Sequence, residues 1–293
     1  MTNSLIKNLL LPGAVLLLFN SCSNEAKNNE TEQMLVKADS TIDAAVAEDL
    51  KEVTITLPSP LQLASIFKKS GLKFKNGITN SPKNVTKYNN SEFIRAVNLG
   101  IYSTDLAYVI LNKQFDESKS YLKACEEVST GLGMKKAFET NDLGLRFANN
   151  MGKEDSLVGI ISEIQMQSDL LLEEHNQKYI TAMAFTGAWF ESVYIAGEVY
   201  KSDKNSNVCV SLMEQYDIAE NIIKALDSYR EKVPECQKLI DDVVAILGLF
   251  KGTAAIKNAD PNVDLDFGKM TLTDEEFKAL ESKVNEIRNS YVK

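Results

Sequence analysis

The chain has 293 residues, of which 32 are lysine or arginine and 41 are aspartate or glutamate, and its net charge is −9. This acidic balance argues against nucleic-acid binding, which depends on basic side chains that displace counterions from phosphates. The length is sufficient for one or two domains with a hydrophobic core.

The first 21 residues have the layout of an export signal. A polar start with Lys7 precedes an apolar stretch from Leu9 to Phe19, which is too short to cross a bilayer as a helix. Small Ser21 stands directly before Cys22, and here the segment resembles a lipoprotein signal in the looser form of Bacteroidota. The resemblance implies cleavage after Ser21 and acyl chains on Cys22. An ordinary secretory signal that is cut elsewhere is the alternative.

Residues 22–52 are rich in Asn, Glu, Ala, Lys, Asp and Thr and contain few large apolar side chains. Because such a segment cannot bury enough surface to order itself, we expect a lipidated cysteine followed by a disordered tether. Val53 to Leu57 alternates with threonine, which is typical of extended chain, but no partner strand is evident. The predicted organisation is a signal peptide at 1–21, the tether at 22–52 and a helical domain at 53–293.

From Ser59 onward the pattern is helical. Ser59 and Pro60 are typical of an N-cap followed by proline at the first helical position, and Gly71 is expected to end that helix. Further helices are predicted at about 91–111, 116–130, 134–149, 155–174, 177–201, 207–230, 235–250 and 274–291. Their starts are marked by candidate caps at Asp116 and Asp155 and by a capping box of Thr273 and Glu276.

Periodicity separates buried helices from outer ones. Apolar residues cover every direction of the 177–201 helix, which is therefore predicted to lie at the centre. The last helix has a narrow apolar face surrounded by Glu and Lys, and we expect it on the outside. This face consists of Phe277, Leu280, Val284, Ile287 and Tyr291. The predicted fold is all-α: a single multi-helix bundle or helical-hairpin array of about eight or nine helices around the central apolar helix.

Three cysteines remain when Cys22 carries lipid: Cys125, Cys209 and Cys236. An odd number cannot all pair, and an export signal implies a compartment that permits a disulfide. Cys209 and Cys236 open two consecutive predicted helices and would lie at opposite ends of an antiparallel hairpin, roughly 30 Å apart. A disulfide needs Cα atoms within about 7 Å, so three free thiols are predicted.

Polar side chains on the central helix and on an earlier helix are candidates for a pocket. Glu191 and Glu198 lie two turns apart on one face, and buried carboxylates need a partner or a shifted pKa. The candidate pocket is formed by Trp189, Glu191, Tyr194 and Glu198 together with Tyr102, Asp105 and Tyr108. Alternatively, each acid hydrogen-bonds a neighbouring helix or extends to solvent. Gly187 and Gly197 suit close helix contact in either case.

A single histidine limits metal and catalytic chemistry. A carboxylate-bridged dimetal bundle needs two Glu-x-x-His pairs, whereas His175 stands alone and suits a helix C-terminus. Residues 260–266 alternate like a calcium loop, but Leu265 replaces the turning glycine and Thr271 replaces the bidentate glutamate. There is no phosphate-binding glycine loop. We predict no metal, no cofactor and no catalytic residue set.

Two stretches carry a resemblance to known proteins: Asn-Leu-Gly-Ile-Tyr-Ser-Thr-Asp-Leu-Ala-Tyr at 98–108 and Phe-Thr-Gly-Ala-Trp-Phe-Glu-Ser-Val-Tyr-Ile-Ala at 185–196. Together they resemble a group of uncharacterised helical envelope lipoproteins of Bacteroidota, over residues 57–250. The resemblance implies an anchored helical domain and supplies no activity and no site residue.

Three hypotheses follow for function. The first is a membrane-anchored lipoprotein of the cell envelope that binds a small molecule or another protein without catalysis. The second is a periplasmic enzyme that uses Asp105 and Glu191 as acid and base, which requires both in a concave, partly apolar pocket. The third is a structural assembly protein with an exposed apolar patch along a helix.

The expected partners are the lipid bilayer, through acylated Cys22, and an unknown protein or small-molecule ligand, with no nucleic acid. Ser23 stands after the lipidated cysteine, where an aspartate would favour the inner membrane in the enterobacterial pattern. The expected location is therefore the outer membrane, and its periplasmic and outward faces remain alternatives.

Overall fold

The computed structural model describes residues 57–260 and 263–293. These two ranges contain helices and no β-strand, which confirms the all-α prediction. The α-helices are α1 (Pro60–Lys69), α2 (Glu92–Leu111), α3 (Phe115–Thr130), α4 (Lys136–Glu139), α5 (Leu143–Asn149), α6 (Glu154–Glu174), α7 (Lys178–Asp203), α8 (Ser206–Met213), α9 (Gln215–Asp227), α10 (Glu235–Gly252), α11 (Ala254–Lys257) and α12 (Asp274–Val292). Short 3₁₀-helices occupy Pro82–Tyr88, Thr140–Asp142 and Phe267–Lys269.

The central helix predicted at 177–201 is α7. Ala188, Trp189, Phe190 and Glu191 are all fully buried, and successive helical residues point about 100° apart, so α7 has neighbours on every side. Helices α1, α2, α9 and α12 pack on it. The prediction of a central, surrounded helix is confirmed.

Helices α2 and α7 approach each other so closely that their backbones touch. A Cβ atom on Gly100 would lie 1.7 Å from the Ala184 carbonyl oxygen, and one on Gly187 would lie 2.0 Å from that of Val97. The close contact predicted at Gly187 is confirmed. At Gly197 it is wrong, because no atom lies within 4 Å of the Cβ position there.

Local capping signals predicted two helix starts correctly and two incorrectly. Ser59 caps α1 with Pro60 in the first turn, and Thr273 and Glu276 form a capping box at α12. Helices α3 and α6 instead follow Gln114 and Lys153, which make no side-chain cap. Asp116 and Asp155 are therefore not caps. They lie in the first turns, where negative charge complements the helix dipole.

Two predicted helices are interrupted. The 134–149 segment divides into α4 and α5 because Asn141 and Asp142 adopt left-handed backbone conformations, with φ of 51° and 53°. Asparagine and aspartate tolerate this region better than other side chains. The 207–230 segment divides into α8 and α9, with Glu214 between them.

Helix α12 packs its predicted apolar face inward. Phe277, Leu280, Val284, Ile287 and Tyr291 are all buried, as the sequence indicates. One charged residue shares that face: Arg288 is only 6 % exposed. The helix therefore delivers a guanidinium group to the interior.

The three thiols of the helical domain are free and buried, as predicted: Cys125, Cys209 and Cys236. The predicted signal peptide, the predicted lipid-attachment residue Cys22 and the predicted tether lie outside the described residues, as do residues 53–56 of the predicted extended segment. Within the described ranges, no helix is both long enough and apolar enough to cross a membrane.

Candidate functional site

The interior holds a charged cluster that joins α7 to α12. Arg288 donates from Nε to Oε2 of Glu191 and from Nη2 to Oε1, each over 2.7 Å. Glu191 is fully buried, so this bidentate ion pair is shielded from water. Paired hydrogen bonds of this kind are strong and fix the orientation of the carboxylate.

Asp105 on α2 adds a second carboxyl group to this cluster. It is fully buried, its Oδ2 accepts a hydrogen bond of 3.0 Å from the backbone N–H of Asn80, and it lies close enough to Glu191 for the two carboxyl groups to interact. Burial, followed by the negative charge of Glu191, raises the pKa of Asp105 well above its ordinary value, although Arg288 opposes this.

Tyr194 covers the other side of the guanidinium. The Arg288 Cζ atom lies 4.3 Å from the centre of the Tyr194 ring, within the range of a cation–π contact. Burial raises the pKa of the Tyr194 phenol. The ring therefore stacks on Arg288 as a neutral group.

Buried polar side chains hold the end of α12 above the cluster. Tyr88 donates to the Val292 carbonyl over 3.1 Å, and Asn98 donates from Nδ2 to the Tyr291 carbonyl over 2.9 Å. The last carbonyls of a helix lack partners within the helix itself. These contacts satisfy two of those carbonyls and hold in place the end of the helix that carries Arg288.

Two tyrosines of the predicted pocket form hydrogen bonds with the segment between α1 and α2. Tyr102 donates to the Ser81 carbonyl over 2.9 Å. The Tyr108 hydroxyl accepts from the Lys75 backbone N–H over 2.7 Å and donates to the Lys73 carbonyl over 3.2 Å. Burial raises the pKa of Tyr108 to about 12. Both phenols serve as neutral hydrogen-bonding groups.

Glu198 and Trp189 lie apart from the cluster. Glu198 forms an ion pair of 2.9 Å with Lys75 near the surface. Trp189 is fully buried two residues before Glu191, and it therefore points to the opposite side of α7. Of the seven predicted residues, the structure gathers Asp105, Glu191 and Tyr194 around Arg288, in a filled core rather than in a concave pocket.

Sequence reasoning missed Arg288 and Asn80. Arg288 follows Val284 by four residues and precedes Tyr291 by three, so its place on the apolar face could have been found. Asn80 contributes its backbone N–H to Asp105, and no side-chain pattern reports such a contact.

A surface cleft lies where the first turns of α2, α7 and α10 meet. Its volume is about 620 Å³, within the range of roughly 300–1,000 Å³ that small-molecule sites occupy. Tyr179 donates to Glu92 Oε1 across it over 2.8 Å, and Lys178 pairs with Glu173 over 2.8 Å. Other lining residues are Phe93, Met183, Tyr229, Lys232 and Glu235.

Comparison with known proteins gives no relative. No protein-family model, no curated protein and no solved structure matches this chain. The cluster and the cleft therefore have to be interpreted from their own chemistry.

Proposed function

We propose that this chain is a lipoprotein of the bacterial cell envelope whose acyl chains on Cys22 anchor a non-catalytic binding domain. The domain takes a small polar ligand, or a polar segment of a partner protein, in the cleft between the first turns of α2, α7 and α10. The observation that supports a binding role is this cleft, which combines aromatic rings with charges of both signs at the surface.

The same geometry gives no support to an enzyme that uses Asp105 and Glu191. Both side chains are fully buried, and Arg288 occupies both oxygens of Glu191. A general acid or base must come within hydrogen-bonding distance of its substrate, directly or through one water. A substrate could reach Asp105 or Glu191 only if the core opened first.

The exposed apolar side chains of the described ranges do not form the row along one helix that a structural assembly role predicts. The large apolar side chains that are exposed in the described ranges are Leu145, Leu170, Val244 and Val263. They belong to four different segments and do not share one helix face. An assembly surface would require them to be contiguous.

The anchoring part of the proposal is tested by intact mass. The protein is extracted from membranes and compared with a Cys22→Ala variant that is expressed in the same way. We expect the wild type to lack residues 1–21 and to carry acyl chains, and the variant to carry none. An unacylated wild type would refute the lipid anchor.

The binding part is tested by thermal shift against a panel of small polar compounds and short peptides. A compound that binds the cleft should raise the melting temperature of the wild type, because it binds only the folded state. Lys232→Glu should lower that shift for an anionic compound and raise it for a cationic one, whereas Lys269→Glu, at an exposed residue outside the cleft, should leave it unchanged. Shifts of charged compounds that Lys232→Glu leaves unchanged would exclude the cleft as the binding site.

A further inference from the structure

The buried cluster has one carboxyl group more than it has cations. Asp105, Glu191 and Arg288 are respectively 0 %, 0 % and 6 % exposed. Arg288 contributes one positive charge and engages both oxygens of Glu191. If Asp105 were also ionised, a net negative charge would remain in the core, where an unpaired charge is strongly unfavourable.

The hydrogen bonds of Asp105 indicate where a proton would reside. Its Oδ2 accepts from the Asn80 backbone N–H, and its Oδ1 is buried with no donor among the described residues. The neighbouring Glu191 carboxylate can only accept. An oxygen of Asp105 that carries a proton would donate to Glu191 and would leave no buried atom of this carboxyl unpaired.

No other group near Asp105 supplies the missing positive charge. The titratable groups that interact with it are Tyr102 and Tyr108 on α2, Tyr121 and Cys125 on α3, Glu191 and Tyr194 on α7, and Arg288 on α12. Tyr88, on the 3₁₀-helix Pro82–Tyr88, interacts with the other two charged members, Arg288 and Glu191. The phenols and the thiol are neutral, because burial raises their pKa values. Helices α1 and α6 also pack on α2, but none of their charged side chains is buried.

We propose that Asp105 holds one proton, which it shares with Glu191, and that this proton is a pH-sensitive lock on the fold. The lock joins three parts of the chain: the segment before α2 through Asn80, the central helix through Glu191, and α12 through Arg288. Loss of the proton places two carboxylates against one guanidinium, so that Asp105 and Glu191 repel each other in the core, although Asn80 and Arg288 both favour the ionised form of Asp105.

The direction of the pH effect follows from proton linkage. Below the pKa of an unfolded aspartate, about 3.9, folded and unfolded chains both hold the proton. Above it the unfolded chain releases the proton while the folded chain keeps it, so rising pH favours unfolding. This loss of stability continues until Asp105 ionises in the folded protein and then levels off.

The test compares urea unfolding of the full-length wild type and Asp105→Asn from about pH 5 to about pH 8. Asparagine accepts from Asn80 and donates to Glu191 without a titratable proton. The ratio of the wild-type to the variant unfolding constant should rise by up to about tenfold per pH unit. Asp116→Asn, at an exposed aspartate in the first turn of α3, should keep the wild-type pH dependence. A constant ratio between wild type and Asp105→Asn would overturn the proposal.

A second measurement needs no variant. In wild type labelled with ¹³C at aspartate carboxyl carbons, NMR should show one carboxyl group that stays protonated at pH 6, well above the ordinary aspartate pKa of about 3.9. If every aspartate carbon titrates below about pH 5, Asp105 is ionised in the folded protein and the proposal fails.

Discussion

Gly187 lies directly against the backbone of Val97, and a Cβ atom at position 187 would lie 2.0 Å from the Val97 carbonyl oxygen. Gly100 makes the reciprocal contact with Ala184. These two glycines allow α2 and α7 to pack at backbone contact, and thereby bring Asp105 and Glu191 together in the core. The buried cluster of Asp105, Glu191 and Arg288 depends on this close packing of α2 against α7.

Gly187→Ala should therefore be strongly destabilising, by about 3 kcal/mol, at the upper end of the usual cost of overpacking. The clash is with a backbone carbonyl, which cannot move aside as a side chain can. The matched control is Gly197→Ala in the same helix, where nothing lies within 4 Å of the Cβ position. That variant should be neutral, or more stable by up to about 1 kcal/mol. Urea unfolding at pH 7 measures the free energy of unfolding of both variants. Equal losses of stability would contradict the close packing of α2 against α7.

Arg288→Met should destabilise the fold by about 3–5 kcal/mol, because it leaves the buried Glu191 carboxyl group without its cationic partner. Lys283 on the same helix pairs with Glu286 at the surface, and its side chain is 36 % exposed. Lys283→Met should cost less than about 1 kcal/mol, as is usual for exposed ion pairs.

Chemical denaturation of Arg288→Met and Lys283→Met measures the loss of stability in each variant. A similar small loss in Arg288→Met and Lys283→Met would mean that Glu191 is solvated rather than buried. Replacing both partners, in Glu191→Leu with Arg288→Met, should recover part of the loss, because no buried carboxyl group without a partner then remains at position 191.

The fold was predictable wherever a local or periodic signal determines it. Ser59 with Pro60, and Thr273 with Glu276, form their caps within one turn of chain, so the sequence alone identifies them. The central position of α7 followed from apolar residues in every direction. Asp116 and Asp155 were wrongly predicted as caps because an acid in the first turn and an acid at the N-cap give nearly the same sequence pattern.

The sequence predicts only part of the buried cluster. Asp105 and Glu191 stood out as acids within apolar helices, but their common partner, Arg288, is distant in sequence from both. Only the tertiary fold brings the three together. Likewise, the surface cleft arises where three helix starts meet, and no motif in the chain reports such a meeting.

The thiols of Cys125 and Cys236 should be unreactive in the native protein. Burial raises the pKa of Cys125 to about 12 and that of Cys236 to about 11, and the thiolate is the reactive form. In a Cys22→Ala variant at pH 8, a thiol reagent should label neither of these cysteines until urea unfolds the chain. Mass spectrometry with and without urea counts the modified cysteines. Rapid labelling of native Cys125 would show that the core around α3 opens readily.

The start of α12 should respond to pH through Glu276. Its carboxylate accepts from the backbone N–H of Thr273 over 2.8 Å and from that of Ala254 over 2.6 Å, which ties α11 to α12. Burial opposes ionisation, but these hydrogen bonds outweigh it and hold the pKa of Glu276 below its ordinary value. The stabilisation is therefore present above about pH 4.3, the unfolded value, and is lost as pH falls through the folded pKa.

Glu276→Gln should therefore be less stable than wild type at pH 7 by about 1 kcal/mol, the usual scale of a lost cap. Its amide keeps one acceptor oxygen where the carboxylate has two. Glu275→Gln removes a charge from the same turn without removing a capping bond, so it controls for the helix dipole. As pH falls through the lowered pKa of folded Glu276, this carboxyl group becomes neutral and the difference in stability between the two variants should shrink. A difference that stays constant across this range in urea unfolding would show that the ionised carboxylate does not hold α11 and α12 together.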